Sequence, residues 1–231
     1  MTYKVIFLRH GESEWNESNR FTGWNDVCLT KKGKKEAKQA GKILKQNNIK
    51  FDIAYTSVLK RAIYTLWIIL KQIEQPWIKI KNTWRLNERH YGSLQGFNKE
   101  EVIPFYGKKK VIDWRRSFSV IPPKMKLYND NLSGYDIRYS SMENNKFPLG
   151  ESLKCTLKRV LPYWNKIILP QMKQNKKIIV VAHGNSLRAL IKFLDNINEN
   201  DVPDLDIPTG KPIVYKFDEK FNPIKYYFLS K

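Results

Sequence analysis

Two short apolar runs, each followed at once by a histidine and a glycine, constrain the fold of this chain more than any other feature. The first is Val5-Ile6-Phe7-Leu8, which leads into Arg9-His10-Gly11, and the second is Ile178-Ile179-Val180-Val181-Ala182, which leads into His183-Gly184. Runs of this length are typical of buried strands. If the two strands are neighbours in a sheet, their histidines meet over one site at its carboxyl edge, where open α/β folds bind ligands.

The remaining pattern alternates strands with helices, which predicts a mostly parallel central sheet with helices on both faces. Thr30 is predicted to cap a helix that ends near residue 46, and Ser57 to cap a second helix after a strand over 52–57. A long helix over 151–174 is expected to kink, or to begin again, at Pro162. Asn185 or Ser186 is expected to open the helix after the second histidine. The other predicted elements are strands over 77–81, 212–217 and 224–229 and helices over 99–106 and 111–116.

The domain organisation is predicted to be simple. No linker composition divides the 231 residues, so we expect one catalytic domain over 1–231. Residues 84–97 are dense in charged and aromatic side chains, which is typical of a functional loop. Residues 117–148 contain prolines and polar residues with no clear period, which predicts a lid or an insertion.

The formal net charge of +20 has three interpretations. It can reflect a lysine-rich composition spread over the surface, the steering of a small polyanionic substrate, or nucleic-acid binding. Lysines scattered along helices, as over 31–35, favour the first two. Cys28 and Cys155 have neither metal-ligand nor disulfide spacing, which fits a reducing cytosol. We expect no signal peptide and no membrane span, because no apolar run is long enough.

The residues at the two strand ends suit phosphoryl transfer. One histidine can attack phosphorus and carry the group covalently, while the other stabilises the charge that develops. Arg9 and Arg61 are candidates for holding phosphoryl oxygens, and Glu88 is a candidate general acid. The alternatives are that His10 only ends a strand, that Arg9 is solvated and that Glu88 forms a surface ion pair.

Longer blocks carry a family resemblance. They are Arg9-His10-Gly11-Glu12-Ser13-Glu14-Trp15-Asn16, Phe21-Thr22-Gly23-Trp24, Tyr55-Thr56-Ser57-Val58-Leu59-Lys60-Arg61-Ala62, Leu86-Asn87-Glu88-Arg89-His90-Tyr91-Gly92, Trp114-Arg115-Arg116 and Ala182-His183-Gly184-Asn185-Ser186-Leu187-Arg188. The first resembles the signature of the histidine phosphatase superfamily. Together, from residue 3 to residue 229, the blocks resemble the cofactor-dependent phosphoglycerate mutases.

The resemblance implies a three-layer α/β/α fold of the phosphoglycerate mutase kind and specific roles. His10 would be the phosphorylated nucleophile, Glu88 the proton donor and acceptor, and His183 the stabiliser of the transition state. Arg9, Arg61 and Asn16 would surround the phosphoryl group. The substrate-binding residues that it implies are Gly11, Glu12, Ser13, Asn16, Thr22, Gly23, Arg89, His90 (mainly through its backbone), Tyr91, Lys99, Arg115, Arg116, Gly184 and Asn185.

It also implies an activity. 2,3-Bisphosphoglycerate would prime His10, no metal would be needed, and 3- and 2-phosphoglycerate would be interconverted in glycolysis and gluconeogenesis. The protein would be a cytoplasmic homodimer or homotetramer that acts on small phosphorylated carboxylic acids, with no nucleic-acid or membrane partner.

The alternatives are a bisphosphoglycerate mutase or a phosphatase of the same superfamily and, more distantly, a basic nucleic-acid-binding module. Ser13 favours a monophosphoglycerate mutase, because bisphosphoglycerate mutases tend to carry glycine there. Relatives usually continue past the position of Lys231 with a tail that closes over the site. We therefore expect a raised phosphatase side activity.

Overall fold

The computed structural model describes residues 2–126, 136–140, 142 and 147–230. Its strands are β1 Tyr3–Arg9, β2 Ile53–Thr56, β3 Lys79–Asn82, β4 Ile178–Ala182, β5 Ile213–Phe217 and β6 Pro223–Phe228. Its α-helices are α1 Glu14–Glu17, α2 Lys31–Gln46, α3 Lys60–Gln72, α4 Ile103–Tyr106, α5 Lys108–Arg116, α6 Leu153–Tyr163, α7 Leu169–Lys173 and α8 Gly184–Leu194. Compared with the prediction, α4 is shorter and α5 longer.

The strands form a six-stranded sheet within the described residues, in the order β3-β2-β4-β1-β5-β6. β1 and β4 are parallel neighbours, and β2 pairs in parallel with both β4 and β3. β5 is antiparallel to β1 and β6 is antiparallel to β5. The mostly parallel sheet is therefore confirmed, and the late hairpin supplies its antiparallel edge.

The side chains of β1 show why helices cover both faces of the sheet. Successive residues of a strand point to opposite faces. Val5 and Phe7 belong to a core cluster that includes side chains of α6 and α8. Ile6 and Leu8 belong to a second cluster, which includes side chains of α2 and α3. Because both faces are packed against helices, the predicted three-layer α/β/α architecture is confirmed.

One of three predicted helix starts is confirmed and two are wrong. Thr30 caps α2 as expected, since its Oγ1 accepts a hydrogen bond from the Gly33 amide at 3.0 Å. The prediction that Ser57 caps α3 is wrong, because that helix begins at Lys60 after Leu59, which makes no side-chain cap. Similarly, α8 begins at Gly184, with His183 in the cap position, rather than at the residues expected.

The predicted long helix over 151–174 is interrupted. α6 runs through Pro162 to Tyr163, and a five-residue π turn, Trp164–Ile168, joins it to α7. Pro162 and Pro170 each lack the amide that an α-helix needs for its i→i−4 bond. A π turn between them is a local adjustment that keeps Trp164 and Ile168 in the core.

The prediction of one domain over 1–231 with a lid or insertion at 117–148 stays a prediction, because residues 127–135, 141 and 143–146 of that segment lie outside the described residues. In the part that is described, Ile137–Tyr139 forms a 3₁₀ turn, and Tyr139 stacks on Trp24 with ring centroids 5.1 Å apart. Among the described helices, none combines the length and apolar character that a membrane crossing requires.

Candidate active site

The pairing of β1 with β4 brings the two histidines together. Arg9 lies opposite Ala182 in the parallel register, so the residues that follow leave the sheet side by side. The His10 amide donates to the Ala182 carbonyl at 3.0 Å. The two imidazole rings pack edge to face with their centroids 4.9 Å apart. The expectation that both histidines meet at one carboxyl edge is met.

His10 is held as a neutral ring with one defined free nitrogen. Its Nδ1 lies 2.6 Å from the Gly11 carbonyl oxygen. Because that oxygen can only accept, Nδ1 carries the proton and Nε2 keeps its lone pair. Burial lowers the pKa of His10 well below its usual value, and the Arg61 and Arg9 guanidinium groups lower it further. At neutral pH Nε2 is therefore available as a nucleophile.

His183 is fully buried beside it. Its Nε2 lies 2.7 Å from Ser57 Oγ, and its Nδ1 has no partner among the residues that the structure describes. Burial lowers the pKa of His183 well below its usual value, with Arg61 and His10 as further causes. The ring is therefore neutral, and one of its nitrogens is left for a ligand.

Two arginines supply positive charge next to the rings. Arg61 is buried and donates to the carbonyls of Asn25 and Gly23, each at 2.8 Å. Burial lowers its pKa to about 10, so it stays protonated at neutral pH. Arg9 donates from Nη1 to the Ile207 carbonyl at 2.8 Å. The Nε atoms of both are buried and, in the described part of the chain, unpartnered. Such donors are suited to anion oxygens, because buried polar groups are rarely left unpaired.

A cavity of about 220 Å³ is lined by Arg9 and Gly184, the sequence neighbours of the two histidines, although the histidines themselves are not part of its lining. Six cationic side chains and two carboxylates line it, so it favours anions. Its lining residues are Arg9, Asn16, Arg20, Thr22, Glu88, Tyr91, Lys99, Arg115, Arg116, Gly184, Asn185, Arg188 and Asp206. Among the described residues, no group of three or more His, Cys, Asp or Glu side chains is placed to hold a metal ion.

Glu88 is fixed at the wall of this cavity. Its Oε1 accepts hydrogen bonds from the Arg89 amide at 2.8 Å and from the Asn185 amide at 3.1 Å. The second amide lies in the first turn of α8, where free N–H groups favour an anion. Glu88 is thus a buried carboxyl group beside the anion cavity, a position suited to proton transfer with a bound hydroxyl.

Asn185 and Tyr91 form a hydrogen-bonded chain on the same wall. Asn185 Nδ2 donates to the Tyr91 hydroxyl at 3.0 Å, and Arg188 donates to Asn185 Oδ1 at 2.7 Å. Arg89, which is fully buried, donates to the Tyr91 hydroxyl at 3.2 Å and to the Arg115 carbonyl at 2.6 Å. Arg89 Nε and Nη1 have no partner within the described ranges.

Three other residues implied by the resemblance act on the loop after β1. A Cβ atom on Gly11 would lie 2.2 Å from the Gly33 carbonyl oxygen, so only glycine allows the loop to pass over the start of α2. The Glu12 side chain bonds Thr30 and Lys32 rather than lining the cavity. Ser13 caps α1 and donates to Asn16 Oδ1 at 2.9 Å, which fixes the Asn16 side chain at the cavity wall.

Six of the predicted substrate-binding residues lie outside the cavity lining: Gly11, Glu12, Ser13, Gly23, Arg89 and His90. His90 Nδ1 accepts from the Gly92 amide at 3.0 Å, and the ring packs against Trp24 and Phe147. Its own amide donates to Glu151, so it supports the loop through its backbone. Gly23 contributes the carbonyl that holds Arg61.

Sequence reasoning missed four residues at the site: Ser57, Arg20, Arg188 and Asp206. Arg20 and Arg188 each stand close in sequence to a predicted binding residue, so proximity within a motif was a usable signal. Asp206 is presented by a segment that two arginines hold, because Arg188 donates to the Leu205 carbonyl and Arg9 to the Ile207 carbonyl. No pattern in the sequence indicates that contact.

Lys99 is predicted to give anion binding a pH dependence. Burial, with smaller contributions from Arg115 and Arg9, lowers the pKa of its ammonium group to about 8. A bound anion favours the charged ammonium, so above that pH binding must take up a proton and affinity falls by up to about tenfold per pH unit. Calorimetric titration with sulfate, whose charge is constant over this range, measures the effect.

The control is Lys99→Arg, because a guanidinium group stays charged throughout this range. We expect the affinity of that variant to lose the decline near pH 8. An unchanged decline would exclude Lys99 as its source.

Comparisons with known proteins agree with this geometry. The sequence profile described as the histidine phosphatase superfamily (branch 1) matches residues 5–133 and 132–228. A 2,3-bisphosphoglycerate-dependent phosphoglycerate mutase of Buchnera aphidicola subsp. Cinara cedri (strain Cc) is 57% identical over 226 residues, which cover 98% of each chain.

Solved structures share the fold at lower identity. A mycobacterial glucosyl-3-phosphoglycerate phosphatase superposes with a TM-score of 0.74 at 18% identity, over 99% of this chain and 97% of the other. The alpha-ribazole phosphatase from Shigella flexneri gives 0.70 at 18% identity, over 98% and 96%. At these identities the likeness shows the fold alone.

Proposed function

This chain belongs to the histidine phosphatase superfamily, and we propose that it acts as a 2,3-bisphosphoglycerate-dependent phosphoglycerate mutase, which interconverts 3- and 2-phosphoglycerate. The observation that carries the proposal is the near full-length sequence likeness to the Buchnera relative. The fold alone does not choose the reaction, because the superposed structures are phosphatases and one fold hosts many functions.

His10 is the nucleophile in this proposal. Its Nε2 lone pair attacks phosphorus, a N–P bond forms and a P–O bond breaks. The Nδ1 proton stays on the ring, where the Gly11 carbonyl oxygen at 2.6 Å holds its orientation and stabilises the positive charge that develops. The Arg9 and Arg61 Nε donors, together with His183 Nδ1, are positioned for the oxygens of the transferring group.

The cavity fits a ligand that carries two phosphate groups. Its six cationic side chains offer more positive charge than one phosphoryl group needs. Arg89 lies behind the lining, where it donates to the hydroxyl of the lining residue Tyr91. When bound, 2,3-bisphosphoglycerate supplies the phosphoryl group that first phosphorylates His10. Lys99, Arg115 and Arg116 would hold the carboxylate and the phosphate that are not transferred.

In this proposal Glu88 is the proton acceptor and donor. As phospho-His10 gives its group to the free hydroxyl of 3-phosphoglycerate, Glu88 accepts the hydroxyl proton. After the doubly phosphorylated product has reoriented, His10 removes the other phosphoryl group and Glu88 returns the proton to the oxygen left behind. The cycle ends with 2-phosphoglycerate and a phosphorylated His10, so protons and phosphoryl groups balance.

We further propose that the protein works in the cytoplasm as one catalytic domain on small phosphorylated acids, without nucleic-acid or membrane partners. The positive charge then serves mainly to attract anionic substrates and to hold them in the cavity.

We also propose that the chain forms a homodimer through its β3 edge; a homotetramer, the other assembly that the resemblance implies, would need a second interface between two such dimers. β3 ends the sheet, so its outer backbone groups are unpaired with any described strand. Trp77, just before β3, is 76% exposed. Large aromatic side chains at an open edge are typical of a self-association surface.

Light scattering after size exclusion tests this surface. We expect an oligomer for the natural chain and a monomer for Trp77→Glu, because a buried carboxylate opposes the interface. Phe105→Glu is the matched control, since Phe105 is 83% exposed on α4 and should leave the oligomer intact. A chain that is monomeric at all concentrations would exclude the proposal.

The proposed function is tested by following 2-phosphoglycerate and inorganic phosphate together, with 3-phosphoglycerate as substrate. We expect isomerisation that requires catalytic amounts of 2,3-bisphosphoglycerate and that exceeds phosphate release. Phosphate release faster than isomerisation would identify a phosphatase instead. Net accumulation of the bisphosphate would identify a bisphosphoglycerate mutase.

A further inference from the structure

Ser57 lies beside the two histidines rather than on a helix. It follows β2 directly, and β2 pairs in parallel with β4 so that Thr56 is opposite Val181. Ser57 therefore leaves the sheet beside the end of β4, close to His183. Its Oγ lies 2.7 Å from His183 Nε2. Both side chains are fully buried, so this hydrogen bond is shielded from water.

Within the described residues, the acceptor for the hydroxyl proton of Ser57 is His183 Nε2. Ser57 Oγ already accepts a hydrogen bond from the Leu59 amide at 3.1 Å. If His183 Nε2 also donated to it, the hydroxyl proton would be left buried and unpaired, which is unfavourable. If the hydroxyl instead donates to Nε2, every polar atom of the contact is satisfied, and the proton of the neutral imidazole lies on Nδ1.

This tautomer gives the free nitrogen of His183 a donor role. Nδ1 is buried and makes no hydrogen bond within the described part of the chain, while the Ser186 amide faces the same side chain in a capping-box arrangement. The ring packs against that of His10. A neutral Nδ1–H next to the nucleophile can donate to an oxygen of the transferring phosphoryl group. In the opposite tautomer Nδ1 would present a lone pair to the same oxygen and repel it.

We propose that Ser57 is a positioning residue that holds His183 in the Nδ1–H tautomer, so that this ring donates a hydrogen bond to the transferring phosphoryl group. The role of the tautomer rests on the proposed phosphoryl transfer, whereas the tautomer itself is a property of the protein without ligand. The relay runs from the Leu59 amide through the Ser57 hydroxyl to His183 Nε2.

The direct test is nitrogen NMR of the histidine rings in the ligand-free protein. The chain has three histidines, so the spectrum can be assigned. We expect His183 to be protonated at Nδ1 in the natural chain and to shift towards Nε2–H in Ser57→Ala. We also expect kcat of Ser57→Ala to fall about 10- to 100-fold, the size of effect known for hydrogen-bond partners that orient metal-binding histidines, with a much smaller change in KM.

Thr56→Val is the matched control. Thr56 is also fully buried at the end of β2, but its hydroxyl donates to the Val181 carbonyl at 2.8 Å rather than to a histidine. Loss of that hydroxyl should affect stability and leave the His183 tautomer and kcat close to those of the natural chain.

The outcomes separate this proposal from the proposed function. An Nε2–H signal for His183 in the natural chain overturns it, even if Ser57→Ala fails to fold. Unchanged kcat and tautomer in a folded Ser57→Ala mutase overturn it as well. An Nδ1–H ring that shifts in Ser57→Ala, in a chain that only hydrolyses phosphoesters, supports the relay and contradicts the mutase.

Discussion

Replacing His10 with alanine is expected to remove the acid-labile phosphate that the protein acquires from 2,3-bisphosphoglycerate and to lower kcat by more than about 10⁴-fold, as loss of a nucleophile does in other covalent catalysts. The physical reason is that His10 Nε2 keeps its lone pair, because its Nδ1 proton is bound to the Gly11 carbonyl oxygen. Mass spectrometry of labelled peptides under alkaline conditions locates the phosphate.

The His183→Ala variant tests the different role assigned to the second histidine. His183 contributes a donor rather than a bond to phosphorus in this mechanism, so we expect kcat to fall by about 10²- to 10³-fold while His10 still becomes phosphorylated. Phosphate found on residue 183 of the natural chain, or retained by His10→Ala, would contradict the assignment of the two rings.

The pair of histidines could be predicted from the sequence because short apolar runs indicate where the two strands end. Each ring follows a short apolar run, and parallel strands place their carboxyl ends along one edge. The side chains of Arg61 and Glu88 could be predicted only as candidates. Their final positions depend on the Gly23 and Asn25 carbonyls and on the Asn185 amide, contacts between distant segments that no periodicity encodes.

Two predictions from local sequence patterns were wrong, because contacts elsewhere in the fold determine the structure of those residues. A serine before a helical pattern is usually a cap, but the register of β2 against β4 carries Ser57 to His183 instead. The apolar period over 151–174 is nearly continuous, and a π turn changes it by about one residue per turn, which a periodicity argument does not resolve.

Arg159 is expected to make a large contribution to the stability of the fold. It is buried on α6 and pairs with Glu151 through Nε and Oε1 at 2.7 Å. Its other donors reach the carbonyls of Arg85 at 2.7 Å, Asn87 at 3.0 Å and Glu88 at 2.8 Å. One guanidinium group therefore fixes the backbone on which the proposed proton carrier stands.

We expect Arg159→Met to lower the free energy of unfolding by about 3–5 kcal/mol, because it leaves the Glu151 carboxylate buried without its partner. Urea denaturation measures this loss. Arg138→Met is the control, since its ion pairs with Asp26 and Asp136 are partly exposed and their removal should cost less than about 1 kcal/mol.

The double variant Arg159→Met with Glu151→Leu separates charge from positioning. Removing both charges should recover much of the lost stability, because no uncompensated carboxylate remains. It should not recover kcat, because the Arg85, Asn87 and Glu88 carbonyls still lack the donor that fixes their loop. If kcat returned together with stability, the guanidinium group would act only as a counter-ion of Glu151. The other contacts of Glu88 would then suffice to hold it, namely the Trp24 indole on its carbonyl at 2.6 Å and the Arg89 and Asn185 amides on its carboxylate.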